Sequence, residues 1–268
     1  MKYLLKKVIG LFIFFLTCFL VILTFPFFTL WRKKKGINPR DTSWEFGRSL
    51  IFKKGIKYWE HQLLDFQLEI SGKDVLEVGS GNGQWLIALD ELGASSIQGV
   101  EPSKEIREYS LEKISQFNKK ANIEVYDSTA EALPFADNSF DILLCLGVFM
   151  FTNQVVALKE FNRVLRPGGK IIITVNGLGY FLMKAKDGLL FSQFPEVRYG
   201  ISGVVWSLVK WISNLQFGTC AVNINEMSQK FNTTNFLFEK VWIYRSMNLY
   251  PFEHFLFPTN YAFKAIKK

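Results

Sequence analysis

The stretch V75-L-E-V-G-S-G-N-G-Q-W85 decides the fold. An apolar run carrying one acid, Glu77, leads straight into glycines at 79, 81 and 83. Such a run reads as a buried strand, and the glycines as the turn that leaves it. Glycine there permits positive φ and lets a ligand approach the backbone closely. In open α/β sheets ligands bind outside the carboxyl ends of the strands, where this turn falls. A dinucleotide-binding turn is the runner-up, but it needs G-x-G-x-x-G, and Gln84 stands where the third glycine belongs. The G-x-x-x-x-G-K-[ST] pattern of a triphosphate loop is absent as well.

Outward from this turn, strand-like and helix-like runs alternate. Strands are expected at D74-VLEVG, I97-QGVE, I123-EVYD, D141-ILLCLG and K170-IIITV. Helices are expected over Gln84–Leu92, Lys104–Asn118 and Gln154–Leu165. An amphipathic helix carrying Tyr58, Trp59, Leu63, Leu64 and Phe66 precedes the first strand, and R166-P-G-G169 reads as a stop and turn. The β-α alternation predicts a Rossmann-like, seven-stranded, mostly parallel sheet with helices on both faces. The near-continuous apolar strands fit burial on both sides. Phe236–Tyr244 and Tyr261–Ile266 read as the last two strands, an antiparallel end of the sheet. Asn225 reads as the cap of a helix over Glu226–Phe231. Residues 177–222 read as an aromatic-rich insertion after the fifth strand. Within it, a helix over Ile201–Phe217 puts Ile201, Val204, Val205, Leu208 and Trp211 on one face. That helix is either a lid closing over an acceptor or a second membrane contact.

The charge has a location. The chain has 32 bases and 24 acids, a net +8. Residues 1–40 hold eight of the bases and no acid, which leaves 24 bases against 24 acids in residues 41–268. A neutral main domain lacks the general pull toward phosphate backbones that nucleic-acid binding uses. Val8–Leu30 is 23 residues without a charge, about 34 Å as a helix against a hydrocarbon core of ~30 Å. Trp31 and R32-K-K-K35 follow it and suit an interface with anionic headgroups. Residues 1–40 are therefore expected to form a single-pass membrane anchor with its basic flank. The rivals are a cleaved signal peptide and a helix lying in one leaflet, which Pro26 would favour. The excess of positive charge after the span places the main domain on the cytoplasmic side. Three scattered cysteines give no disulfide framework, and two distant histidines give no metal pattern.

Two further clues concern the ligand. Glu101 ends the second strand, beside the first, where a carboxylate can accept from both hydroxyls of a ribose. The loop Y126-DSTAEALPFADNSFD141 brings polar groups to the end of the third strand. At these residues the chain resembles the class I S-adenosylmethionine-dependent methyltransferases, in the type 11 branch that includes quinone-biosynthesis enzymes. The matching blocks are VLEVGSGNG, VEPS (100–103), TAEALPFADNSFD (129–141) and EFNRVLRPGGKIIITV (160–175), in order over about residues 70–176.

The resemblance implies S-adenosyl-L-methionine as cofactor. It places Gly79, Gly81 and Gly83 against its methionine part and ribose, and Glu77 at its amino group, directly or through water. The bland alternative pairs Glu77 with a neighbouring helix. Glu101 would hold the ribose diol, Thr129 and Ala130 the adenine, and the Leu146 backbone the methionine end. Ser80, Pro102 and Ser128 complete the expected contacts. The family usually has Asp where Thr129 stands, so adenine is held less strongly here. It often has His near the end of the fourth strand, but C145-LGVFMFTN153 has none. No catalytic base is therefore assigned, and Val148, Phe149, Met150 and Phe151 read as a hydrophobic mouth. The expected acceptor is a hydrophobic, membrane-associated small molecule or lipid. The alternatives are a glycan precursor or small metabolite near the membrane, and a cofactor-binding scaffold without turnover. No nucleic acid and no metal are expected.

Overall fold

The computed structural model describes residues 52, 55–117, 121–190, 194–213, 224–244 and 260–268. The expected span Val8–Leu30 lies outside these. Among the described residues no helix is long and apolar enough to cross a membrane.

Two units are distinguished by their internal contacts, with the division at Val175/Asn176. The larger begins with α1 (Ile56–Leu64), β1 (Asp74–Val78), α2 (Gln84–Glu91) and β2 (Ser96–Val100). It continues with α3 (Lys104–Ser115), β3 (Asn122–Tyr126), β4 (Phe140–Leu146), a 3-10 turn (Phe149–Phe151) and α4 (Gln154–Val164). Strand β5 (Leu165–Asn176) follows, and α7 (Ile224–Thr233), β6 (Phe236–Tyr244) and β7 (Asn260–Lys267) come last. The smaller unit contains α5 (Leu178–Leu190) and α6 (Phe194–Ser213).

The strands form one seven-stranded sheet in the order β3-β2-β1-β4-β5-β7-β6. β1 is central and parallel to β2 and β4, with Glu77 opposite Gly99 on one side and Leu144 on the other. β2–β3 and β4–β5 are parallel too. The last strand runs the other way. Lys267, ending β7, donates to the carbonyl of Leu165, which starts β5. Asn260, opening β7, donates to Asn176, which ends β5. The amide of Lys268 reaches the carbonyl of Asn235, just before β6, so β7 is antiparallel to both neighbours. This is the antiparallel end expected from the sequence.

Burial drives the central strands. Val75, Leu76, Ile97, Leu143, Leu144, Ile171, Ile172 and Ile173 are all fully buried. Each such side chain contributes about 1.5–3 kcal/mol relative to exposure. At the amino-terminal edge a polar staple fixes the register. Arg166 pairs with Asp74 and Asp141, each at 2.9 Å, and Asp141 accepts from the Asp74 amide at 3.0 Å. Burial pulls the Asp141 carboxyl upward, but the Asp74 amide and the Arg166 guanidinium outweigh it and leave it below its ordinary value. The second clamp is Arg163, which donates to the carbonyls of Leu133 and Phe135 and pairs with Asp137 and Glu160. It holds the long β3–β4 connection, a larger role than the helix-end charge its position suggests.

Several sequence expectations shift. R166-P-G-G169 is not a free turn: it lies inside β5 as a bulge, because Leu165 pairs with Phe140 while Lys170 already pairs with Ile142. Gly168 takes φ +76 there. The α4 helix stops at Val164, and α3 stops at Ser115 rather than Asn118. Asn225 is no cap, since α7 begins one residue earlier at Ile224. The insertion holds two helices, and the expected helix over Ile201–Phe217 is α6, which starts at Phe194; residues 214–217 lie outside the described set.

Two glycines set the α5–α6 pairing. A Cβ on Gly200 would stand 2.2 Å from the Ala185 nitrogen, and one on Gly203 would stand 1.9 Å from the Phe181 ring. Gly203→Ala is therefore expected to force the helices apart at a cost of about 1–3 kcal/mol. Hydrogen exchange would register faster amide exchange across α5 and α6 with β1–β5 unchanged. Unaltered protection in α5 would refute the close pairing.

Candidate functional site

The site forms where β1, β2, β3 and β4 end. After Val78 the chain turns through Gly79 (φ +73), Gly81 (φ +53) and Gly83 (φ +82), and Gly83 is the left-handed residue just before α2. The amides of Gly79 and Ser80 both donate to the Val100 carbonyl, at 2.7 and 3.0 Å, which pins the turn to the end of β2. Gly79 has no room for a side chain, as an added Cβ would lie 2.3 Å from Val148 Cγ2. The turn thus presses on the segment leaving β4.

Glu77 is only 1 % exposed, and its Oε2 has no hydrogen-bond partner. Burial first, then the charge of Glu101, pushes its carboxyl well above the ordinary value. Among the described residues no lysine or arginine offsets it. The alternative of a pairing with a neighbouring helix therefore fails at this oxygen. Ser80 Oγ and Asn82 Oδ1 are likewise buried and unpartnered in the same turn. A cluster of orphaned buried polar atoms is costly, at about 1–3 kcal/mol each, unless something pairs with it.

Glu101 sits beyond β2, with Oε2 accepting from Gly81 N at 3.2 Å and Oε1 from Ser103 N at 2.9 Å. Arg107, one turn into α3, donates to the Glu101 carbonyl at 2.7 Å and pairs with Asp127 at 2.9 Å. It ties the end of β2 to the loop after β3. Pro102 is exposed. In that loop Thr129 is exposed, Ala130 is buried, and Ser128 turns its hydroxyl to the Ala132 carbonyl. Leu146 is half-buried at the end of β4. Beyond it, Gly147 N donates to Thr174 Oγ1 at 2.7 Å.

The sequence-derived residues thus fall at adjoining strand ends, and Gly81 and Glu101 are linked directly. Ser128 faces its own loop. The expected mouth needs one correction. Phe149 is fully buried and packs toward Phe161 at 6.3 Å, so it belongs to the core. The exposed apolar groups are Phe151 (62 %), Val155 (48 %) and Val156 (39 %), with Val148 and Met150 half-buried. Sequence reasoning missed Arg107, Asn82, Gly99 and Thr174. Gly99 is the one whose signal was present: it lies across from Glu77, and a Cβ there would stand 2.9 Å from Ser80 Oγ. Cys145 is buried, and burial pushes its thiol up and out of reach of ionisation. Among the described residues no cluster of His, Cys, Asp and Glu could hold a metal. A cavity of 380 Å³ against Asp74, Ser96, Gln98 and Tyr126 lies on the other face of the sheet from Glu77, by strand alternation.

Residues 76–173 match the family model described as "Methyltransferase domain". Demethylmenaquinone methyltransferase of Staphylococcus haemolyticus is 38 % identical over 120 residues, 43 % of this chain and 48 % of that protein. The Staphylococcus aureus enzyme of the same name is 34 % identical over 119 residues, 43 % and 48 % of the two chains. The chain thus spans about half the length of the curated relatives it matches. Among solved structures, an S-adenosylmethionine-dependent methyltransferase from Mesorhizobium loti superposes with TM-score 0.56 at 15 % identity, covering 78 % of this chain and 98 % of its own. A putative one from Listeria monocytogenes reaches 0.57 at 15 %, covering 79 % and 99 %. The matched segment is similar to a methyltransferase domain, and the fold is the one these S-adenosylmethionine-dependent methyltransferases have.

The raised Glu77 carboxyl makes a sign-definite prediction. Its folded-state value exceeds the unfolded one (about 4.3), so the folded form binds the proton more tightly. Its contribution to stability is full below that unfolded value and is lost as pH rises through the folded value. Glu77→Gln, which keeps the shape but not the charge, is expected to stabilise the ligand-free protein at pH 8, by about 1–3 kcal/mol. Its effect at pH 4 should be small. Denaturant titration at both values tests this, and a Gln variant equally destabilised at both would contradict it.

Proposed function

We propose that the protein transfers a methyl group from S-adenosylmethionine to a hydrophobic small molecule at a membrane. The observation that carries this reading is the buried, unpartnered Glu77 carboxylate beside a turn whose Gly79 has no space for a side chain. Such a site calls for a cationic ligand that approaches the backbone. The donor's ammonium group supplies the missing partner to Glu77. Glu101 would turn its two oxygens from the Gly81 and Ser103 amides to the ribose hydroxyls. Gly79, Ser80, Gly81 and Gly83 would line the methionine and ribose, with Pro102 at the sugar edge. Ser128, Thr129 and Ala130 would meet the adenine, and Leu146 would offer its backbone near the methionine end. When bound, the donor supplies a sulfonium methyl to a nucleophile by in-line displacement. The protein's part is to orient the partners and exclude water.

The acceptor class rests on the apolar surface of Phe151, Val155 and Val156, where β4 leads into α4. Exposed apolar groups next to a donor site suit an acceptor that is itself apolar. The names of the staphylococcal relatives agree with a quinone-type acceptor. The uncharged run Val8–Leu30 supports presentation at a membrane, with the domain in the cytoplasm where the donor is made.

Calorimetry and methyl transfer test the reading together. Glu101→Ala is expected to weaken donor binding by about 10- to 100-fold, the worth of one or two charge-assisted hydrogen bonds. Labelled methyl should enter a lipid extract with the parent protein. Unchanged binding in the variant would remove the site. Label confined to water-soluble products would remove the hydrophobic acceptor, and tight binding without transfer to any extract would make the chain a scaffold.

A further inference from the structure

Glu101 is held at four points. Its amide donates to the Tyr126 carbonyl at 3.0 Å, the last backbone hydrogen bond between the β2 and β3 segments among the described residues. Its two carboxylate oxygens accept from the Gly81 and Ser103 amides, and its carbonyl accepts from the Arg107 guanidinium at 2.7 Å. Only this last bond comes from another side chain. The other arm of the same guanidinium reaches Asp127 at 2.9 Å, two residues before Thr129. One planar fork thus spans the two segments where their backbone pairing stops. The Arg107 side chain is 14 % exposed and that of Asp127 68 %. A pair so open at one end contributes little as an ion pair. The fork matters instead for geometry, because guanidinium donors point in fixed directions and a lysine ammonium does not. The helix that carries it is seated as well. An added Cβ on Gly83 would lie 3.2 Å from Ile114 and 3.3 Å from Ser110, so α3 presses on the glycine turn.

We infer that Arg107 is a positioning residue for the methyl donor: anchored on Asp127, it holds Glu101 in place for the ribose. The inference rests on the methyl-transfer reading, in which the Glu101 carboxylate leaves the Gly81 and Ser103 amides for the ribose hydroxyls. Two of the four ties are then given up. What still fixes the residue is its amide bond to Tyr126 and its carbonyl bond to Arg107. A site held in its binding geometry beforehand spends less on ordering when the ligand arrives. Arg107 acts through Glu101, so its contribution disappears once the Glu101 carboxylate is gone. It also favours a ligand that offers both ribose hydroxyls over one that lacks a hydroxyl.

Calorimetry on the full-length chain provides the test, with S-adenosylhomocysteine (the donor without its methyl group) and its 2′-deoxy form as probes. Arg107→Met removes the donors of the fork and keeps much of its length. It is expected to weaken S-adenosylhomocysteine by about 10-fold, the worth of one charge-assisted hydrogen bond, and the 2′-deoxy form by no more than about 3-fold. Made on top of Glu101→Ala, the same change should alter binding by less than about 2-fold, since two residues acting through one contact are not additive. Unchanged binding in Arg107→Met would overturn the inference. So would equal losses for both probes, the mark of a general loosening, or an undiminished loss in the Glu101→Ala background. Should Arg107→Met fail to fold, Arg107→Lys is read in its place: a shrunken preference for the ribose form supports the inference, and an unchanged preference overturns it. A parent chain that binds neither probe would bring down the methyl-donor reading itself, and the role of Arg107 with it.

Discussion

A buried carboxyl oxygen without a partner organises the larger unit. Glu77 occupies the central strand between Gly99 and Leu144, with Leu76 and Val78 buried on either side. Among the described residues nothing repays its desolvation, and Glu101 adds to the cost. A protein can carry such a group where a ligand pairs with it, and stability is then traded for recognition. Close to this acid two positions are glycine. Gly99 leaves space for Ser80, and Gly79 leaves space for Val148, so the turn can lie close over the strand ends.

The two edges of the sheet divide the labour. At the amino-terminal edge, Arg166 joins β1, β4 and β5 through two carboxylates, and Lys267 adds bonds from β7 to Asn138 and Leu165. Arg166, Asp74 and Asp141 are all paired there. At the carboxyl edge the buried polar atoms of Glu77, Ser80 and Asn82 lack partners. One edge secures register, and the other leaves hydrogen-bonding capacity unused. Arg163 extends the secured region, holding the β3–β4 connection so that Ala130 stays buried near the strand ends.

The smaller unit follows another logic. Its two helices come together because glycines remove the side chains that would keep them apart, and the Phe181 and Tyr199 rings meet at a tilt, 5.7 Å between centres. With the inner side committed to that contact, the outward side of α6 carries its apolar residues toward whatever surrounds the protein.

Strand positions, helix positions and the seven-stranded sheet were legible because buried parallel strands need unbroken apolar runs and the turns between them need glycine, proline and polar residues. The turn at Gly79–Gly83 was legible for the same local reason. What escaped were features set by distant partners. R166-P-G-G169 reads as a stop, but pairing with β4 draws it into a bulge. Phe149 reads as part of a mouth, but α4 offers Phe161 and takes it into the core. Arg107 has no local signature, because its partners lie beyond two different strands. The sequence alone thus determined which residues line the strand ends, since that depends on periodicity along the chain. Only the tertiary structure decided that Glu77 has no counter-charge among the described residues, because a missing partner is a property of everything packed around it.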